Sequence, residues 1–243
     1  MAETCALVAA AGRGSRAGLA YPKTLFPLQG RPILLRICDV LRPYDAQPTV
    51  VVSSTGEEPI RECLAGASVA AHLVRQPAPT GMGDAVLRFA ESPAFAAAEH
   101  VLLIWGDVPF IQPKTVAAMM HAHHAHDNDF TLVTRPTERP YTLVERTIGG
   151  AVARVLETRE EGIVPPSWGE RDVGLFVFRR DVVMPLLREK LPDKRGKSTG
   201  EHGFLYIVGH LVERAFRVEA LPIAAEIETV SLNKVQDVVG LVS

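Results

Sequence analysis

Cysteine is scarce in this chain. Three residues (Cys5, Cys38 and Cys63) stand among 243, widely spaced and without a CxxC pair. An odd count with no framework excludes a disulfide-stapled scaffold and fits a reducing compartment, so a cytoplasmic protein is expected. No apolar run is long enough to span a bilayer, which removes the membrane as an expected partner. The amino end lacks a basic stretch leading into a separate apolar segment and cleavage site, which argues against a signal peptide. Neither sign of charge dominates. Lys and Arg number 26 against 28 Asp and Glu, a formal net charge of -2 that argues against a dedicated nucleic-acid surface. Internal repeats, low-complexity tracts and clear linkers are also missing. What remains is an ordinary globular composition, 47% hydrophobic and 22% charged. Its length suits one large α/β domain, or one domain plus a small subdomain, with a substantial core.

Apolar runs alternate with helical patterns. Buried strands are expected over Cys5–Ala9, Thr49–Ser53, His72–Arg75, Val101–Trp105 and Phe130–Thr134. Helices are expected over Ile33–Leu41, Gly83–Ala90 and Pro113–His126, the last with proline suited to its first turn. This rhythm predicts an α/β, Rossmann-like, mostly parallel sheet with helices on both faces. From Tyr141 the rhythm changes. Thr142–Arg146 and Val152–Glu157 flank Ile148-Gly149-Gly150 and predict a small β-hairpin extension. A proline-rich loop (Val164–Trp168), a strand (Val173–Phe178) and a helix (Asp181–Lys190) follow. Then come a charged loop (Leu191–Gly200), a helix (His202–Arg214), a strand (Arg217–Leu221) and a final helix (Lys234–Leu241).

The chemistry concentrates at two strand ends. After the first strand stands Ala10-Ala11-Gly12-Arg13-Gly14-Ser15-Arg16, followed by Pro22-Lys23 and Gly30-Arg31-Pro32. A loop so poor in side chains exposes backbone N–H groups to a ligand. Arg16 and Lys23 can then neutralise a polyphosphate lying across it. After the fourth strand stands Trp105-Gly106-Asp107. An acid in that position is well placed to hold Mg²⁺, which prefers hard oxygen ligands and often bridges protein to phosphate. In parallel sheets ligands lie beyond the carboxyl ends of the strands, so the two segments are expected to meet.

Other arrangements read more plainly. No GxxxxGK[ST] opens the chain, and Arg16 in the glycine loop would crowd a dinucleotide-binding helix. Gly196-Lys197-Ser198-Thr199 imitates the tail of a Walker A motif, but Leu191 stands where its first glycine belongs. A mobile basic loop is expected there. His121, His123, His124 and His126 lack further ligands in a defined geometry and read as a polar exit from a helix, not a zinc site. Glu201-His202 reads as an exposed helix start.

These residues together resemble the sugar-1-phosphate nucleotidyltransferases, whose signature is AAGxGxR, a short spacer, PK, and a GxP segment. Within that family the likeness is strongest to the uridylyltransferase domain of the bacterial N-acetylglucosamine-1-phosphate uridylyltransferase. Gln76–Ala85 (QPAPTGMGDA) looks like the family's base-contacting segment, Trp105–Ile111 like its GDxPL-type strand end, Gly200-Glu201 like its GE element, and Leu232–Asp237 like its VNxxxDL segment.

The resemblance implies one nucleotidyltransferase domain over 1–243, with a nucleotide-binding half (1–135) and an acceptor-binding half (136–243). It implies catalytic roles for Arg16, Lys23 and Asp107. Nucleotide contacts would come from Ala10, Ala11, Gly12, Gly14, Gln76, Thr80, Gly81, Met82 and Gly106. Acceptor contacts would come from Thr142, Glu157 and Asp172, under the hairpin. Asp107 and Asn233 would hold Mg²⁺. The implied partners are a nucleoside triphosphate, UTP by preference, and a phosphorylated acceptor, with a homo-oligomer left open. Departures gather on the acceptor side: Met82 replaces the usual Thr, Pro140-Tyr141-Thr142-Leu143 replaces Gly-Tyr-Gly-Arg, and Asp172 replaces an Asn. Two alternatives therefore stay open. One is a CTP-dependent cytidylyltransferase acting on a phosphorylated alcohol, polyol or phosphonate. The other is a non-catalytic nucleotide-binding scaffold.

Overall fold

The computed structural model describes residues 3–12, 14 and 18–236. Eleven strands are described, in chain order β1 (Thr4–Ala9), β2 (Pro27–Leu28), β3 (Arg31–Pro32), β4 (Thr49–Ser53), β5 (His72–Gln76), β6 (His100–Trp105), β7 (Phe130–Glu138), β8 (Thr142–Arg146), β9 (Val152–Glu157), β10 (Trp168–Arg179) and β11 (Val218–Leu221). The helices are α1 (Ile33–Leu41), α2 (Glu57–Gly66), α3 (Met82–Leu87), α4 (Pro113–Ala125), α5 (Thr158–Glu161), α6 (Arg180–Arg188) and α7 (Ile207–Glu213).

One seven-stranded sheet, in the order β11-β7-β10-β6-β1-β4-β5, organises the chain. Only β10 runs against its neighbours β6 and β7; the other pairings are parallel. The chain moves from β1 outward through β4 to β5, then returns to place β6 on the opposite side of β1. That reversal opens a crevice between the loops leaving β1 and β6, where ligands of such sheets lie.

Both faces are covered. On one, Val8, Val50 and Ile104 pack under α1, α2 and α4. On the other, Leu7, Leu103, Phe130 and Phe176 pack under α3, α6, α7 and the β8–β9 hairpin. Helix α1 forms because its apolar residues fall on one face, with Ile33, Leu34, Ile37, Cys38 and Leu41 all buried. Burial of each large aliphatic side chain contributes about 1.5–3 kcal/mol. Among the described residues no helix is long and apolar enough to cross a membrane.

The expected α/β sheet and hairpin are present, and α1, β4, β8 and β9 have the expected limits. Helix α2 has no counterpart in the sequence reading. It buries only Ile60 and Leu64, too sparse a stripe to announce a helix, and its Pro59 is tolerated because it lies in the first turn. Strands β7 and β10 run past their apolar segments, pairing Thr134–Glu138 with Trp168–Asp172 beyond the core. A register shift between Asp172 and Phe176 joins the two parts of β10. Gly174, at φ +75°, sits there against the Trp105 ring, which a Cβ would approach to 3.0 Å.

Three expectations are corrected. The helix predicted from His202 starts at Ile207, and His202 is a buried loop residue, not an exposed helix start. Three of the four histidines, His121, His124 and His126, are exposed as a polar exit from α4 would be, but His123 is not. His123 is buried, its Nδ1 2.9 Å from Thr131 Oγ1 and its Nε2 2.9 Å from His100 Nδ1. Burial lowers the His123 pKa to about 3, so it packs as a neutral ring. The loop over 191–200 is tied down: Ser198 and Thr199 donate backbone N–H bonds to Glu160, and Lys197 pairs with Glu161 at 2.5 Å. The last predicted helix lies largely outside the described residues.

Candidate functional site

The chain leaves β1 through Ala10, whose N–H bonds Val51 O at 2.9 Å, while Gly106 N–H bonds Ala9 O at 2.9 Å. Gly106 is required by that approach, because a Cβ would lie 2.8 Å from Ala9 O. Gly14 takes φ +71°, and a Cβ there would meet Tyr21 O at 2.6 Å. The two loops thus enclose a cavity of about 330 Å³. Ala10, Ala11, Gly12, Gly14, Gly106 and Asp107 line it from the strand ends. Gln76, Gly81 and Met82 close one side and Lys23 another.

Lys23 and Asp107, 84 positions apart, meet as an ion pair with Nζ 3.2 Å from Oδ2. Their side chains are 11% and 27% exposed, so each charge is compensated in a partly desolvated place. Gln76, buried at the end of β5, donates its Nε2 to Gly81 O (3.0 Å) and Asp84 Oδ2 (2.9 Å). Its Oε1 therefore remains as an acceptor for a ligand. Burial pushes the Asp84 pKa up, but hydrogen bonds from Thr80, Gln76 and Arg88 outweigh it and hold the carboxyl below its ordinary range.

Among the described residues no group of three or more His, Cys, Asp or Glu side chains converges to hold a metal. The two oxygen donors expected for Mg²⁺, on Asp107 and Asn233, stand on segments joined by one backbone contact. Leu232 N–H bonds Asp107 O at 2.8 Å and so brings the backbone of Asn233 beside the acid. The segment is held by buried Glu228, whose carboxylate accepts from Gln112 N and Thr115 Oγ1 (both 2.9 Å) at the start of α4. Asn233 donates its Nδ2 to Ser231 at 2.8 Å, leaving its amide oxygen unused. One carboxylate and one amide oxygen, both hard donors, fit a Mg²⁺ whose other positions are filled by phosphate and water.

A second cavity of about 330 Å³ adjoins the first, and Met82 and Glu201 line both. Glu157 lines it from the end of β9. Burial, then the carboxylates of Asp172, Glu160 and Glu201, raises the Glu157 pKa from 4.5 to about 7. Thr142 sits opposite Glu157 in the hairpin register and donates to Asp172 Oδ1 at 2.6 Å. Asp172 is fully buried, and Gly174 N–H satisfies its other oxygen at 2.8 Å. Thr142 and Asp172 thus form a brace beneath Glu157, and neither lines the two cavities.

The raised pKa has a consequence for stability. The neutral Glu157 contributes stability that is complete below about pH 4.5 and is lost as pH rises through 7. Glu157→Gln should therefore melt at the wild-type temperature at pH 4 and higher than wild type at pH 8.5. A shift of this size corresponds to at most about 3 kcal/mol, or roughly 5–10 °C for a domain of this length. Equal melting temperatures at both pH values would show that Glu157 ionises without penalty.

The loop before α7 closes the site. His202 N–H bonds Thr80 O at 2.7 Å, and Gly83 N–H bonds His202 O at 2.9 Å. Burial lowers the His202 pKa to about 4, so its imidazole is neutral when it packs there. Thr80 itself turns outward, its hydroxyl given to Asp84 at 2.6 Å. Arg16 lies outside the described residues. Thr24, Trp105 and Glu201 line the first cavity without having been singled out as contacts. Trp105 and Glu201 belong to motif segments and Thr24 directly follows Lys23, the one signal that could have found them.

The model of the MobA-like NTP transferase domain matches residues 6–201 of this chain. Among curated proteins, the chain is 28% identical over 236 residues to the bifunctional protein GlmU of Geobacter metallireducens, an alignment covering 96% of this chain and 48% of that protein. It is 29% identical over 245 residues to the GlmU of Symbiobacterium thermophilum (96% and 49%). It is 30% identical over 230 residues to that of Azoarcus sp. (93% and 49%). The chain spans about half the length of these relatives.

Proposed function

The chain belongs to the MobA-like NTP transferase domain family, and on that premise we propose that it moves a nucleoside monophosphate from a pyrimidine triphosphate, UTP by preference, to a sugar-1-phosphate. Pyrophosphate is the second product. The observation that supports this most is the meeting of the glycine loop, Lys23 and Asp107 around one cavity at the reversal of strand order.

A phosphate oxygen of the acceptor attacks the α-phosphorus in line, and the bond from that phosphorus to the bridging oxygen of the β-phosphate breaks. An acceptor phosphate is already anionic near neutral pH, its second pKa being about 6, so no general base is required. The protein's work is positioning and charge neutralisation. Gly12 and Gly14 let the triphosphate approach the backbone, and Lys23 neutralises charge on the five-coordinate phosphorus. Arg16 is assigned to the β- and γ-phosphates. Asp107 and Asn233 would hold Mg²⁺, which when bound supplies positive charge between the two reacting anions. Gln76 Oε1 accepts a hydrogen bond from the base. Glu157 binds the acceptor from the second cavity.

One observation favours a second reading, CTP with a phosphorylated polyol or a phosphonate. With Thr142 and Asp172 bonded to each other, only Glu157 of the three expected acceptor residues reaches a cavity. The experiment is a pyrophosphate-release screen crossing four nucleoside triphosphates with sugar-1-phosphates, polyol phosphates and phosphonates, with and without Mg²⁺. UTP with a sugar-1-phosphate and Mg²⁺ should give the fastest release. Fastest release with CTP and a polyol phosphate would establish the second reading. Nucleotide binding without release from any pair would favour a scaffold.

A further inference from the structure

We propose that Thr24 is a phosphate-binding residue, donating its hydroxyl to a phosphate oxygen held between the glycine loop and Lys23. The inference rests on the nucleotidyltransferase reading and adds a residue that neither the signature motifs nor the family likeness supplies.

Thr24 lies in the short 3-10 turn Lys23–Leu25, directly after the lysine, and is 2% exposed. It lines the cavity that contains Lys23, Gly106 and Asp107. Its Oγ1 is buried and has no hydrogen-bond partner among the described residues. A threonine in a helical turn ordinarily spends its hydroxyl on a carbonyl one turn back. Here the bonds of this turn are made by Leu25 N–H to Pro22 O (2.9 Å) and Phe26 N–H to Lys23 O (3.0 Å), and the hydroxyl takes no part.

Burying an unpaired hydroxyl is unfavourable, and valine would fill the same volume without that cost. The protein therefore carries at this position a donor that nothing among the described residues uses. The other orphaned buried side-chain atoms sharpen the point. Arg36, Arg88 and Arg180 each leave Nε unpaired while another guanidinium nitrogen is bonded. The remaining one among the described residues is Trp105 Nε1, and Trp105 lines the same cavity as Thr24. Both neutral orphans can donate, and both belong to the cavity of the Lys23–Asp107 pair. A ligand rich in acceptor oxygens and negative charge matches unspent donors beside a lysine, and a phosphate group has that chemistry.

The phosphate could come from the nucleotide or from the acceptor, and one set of variants separates them. Thr24→Val, Thr24→Ala and Thr24→Ser are compared with wild type by thermal melting, by calorimetric titration with the active nucleoside triphosphate, and by steady-state kinetics. Thr24→Val should melt at or above the wild-type temperature and lose roughly 10- to 100-fold in affinity or turnover, the value of a hydrogen bond to a charged group. Thr24→Ala should lose as much function, and Thr24→Ser should restore it. Weaker nucleotide binding without acceptor assigns the hydroxyl to the triphosphate. An increased KM for the acceptor alone assigns it to the acceptor phosphate. Wild-type binding and kinetics in Thr24→Val, with Lys23→Ala inactive, would overturn the inference and leave the transferase reading standing. A wild-type protein that neither binds a nucleotide nor releases pyrophosphate would overturn both.

Discussion

Lys23→Ala and Asp107→Ala should each lower turnover by roughly 10²–10³-fold or more: in the proposed reaction the first removes positive charge beside the phosphorus and the second removes the carboxylate that would hold Mg²⁺. A thousandfold loss corresponds to about 4 kcal/mol of transition-state stabilisation. Stability should change far less. The two side chains form a single ion pair at 3.2 Å, and Asp107 keeps 27% of its surface in solvent. A lone carboxylate there remains partly hydrated, and loss of a partly exposed pair costs about 1 kcal/mol or less. For a chain of this length that is roughly 2–4 °C in melting temperature. The double variant should be no worse than about the poorer single variant, since both groups serve one reacting centre. Single-turnover rates at saturating substrates, with melting curves on the same preparations, test this. Near-wild-type turnover in either variant would remove that residue from the chemistry.

The mostly parallel sheet and the loops that line the first cavity were legible because local pattern and chemistry coincide there. Buried parallel strands read as continuous apolar runs, and the loops at their carboxyl ends carry unusual residues: glycines after β1, Gly106-Asp107 after β6. Eight of the nine residues expected to touch the nucleotide line the first cavity; Thr80 turns to Asp84 instead. The acceptor side was less legible for a physical reason. Thr142 and Asp172 have the polarity of binding residues, but sequence does not say whether a polar side chain faces a ligand or another side chain. Here they satisfy each other 30 positions apart.

Glu228 is a second case. It holds the segment carrying Asn233 by bonding the start of α4, more than a hundred positions away. Nothing near it in sequence forecasts that partner. His202 is a third. Its neighbours in sequence suggest a helix start, while its environment is set by the Gly81–Gly83 turn arriving from the other half of the chain.

That last contact carries the second large expected effect. Gly83→Ala should both destabilise the protein and weaken nucleotide binding. Gly83 lies in the first turn of α3, immediately after Gly81 and Met82 of the first cavity. A Cβ there would press on the carbonyl oxygen of Gly203 and come within 2.6 Å of His202 Cδ2. Backbone cannot step aside as a flexible side-chain tip can, so the turn and the 200–203 loop must separate. Separation strains the bonds His202 N–H to Thr80 O and Gly83 N–H to His202 O. Overpacking of this kind costs about 1–3 kcal/mol, which predicts a fall of roughly 3–10 °C in melting temperature. Because Gly81 and Gln76 are hydrogen-bonded to each other at the cavity wall, the displaced turn should also loosen the proposed base contact and reduce nucleotide affinity by about tenfold or more.

Gly66→Ala is the matched control. Gly66 ends α2 with open space around its Cβ position, so alanine there should be neutral or stabilise slightly. Wild-type melting and nucleotide affinity in Gly83→Ala would mean that the two loops do not act as one wall. If affinity fell while the melting temperature held, the contact would instead belong to the nucleotide site more than to the fold.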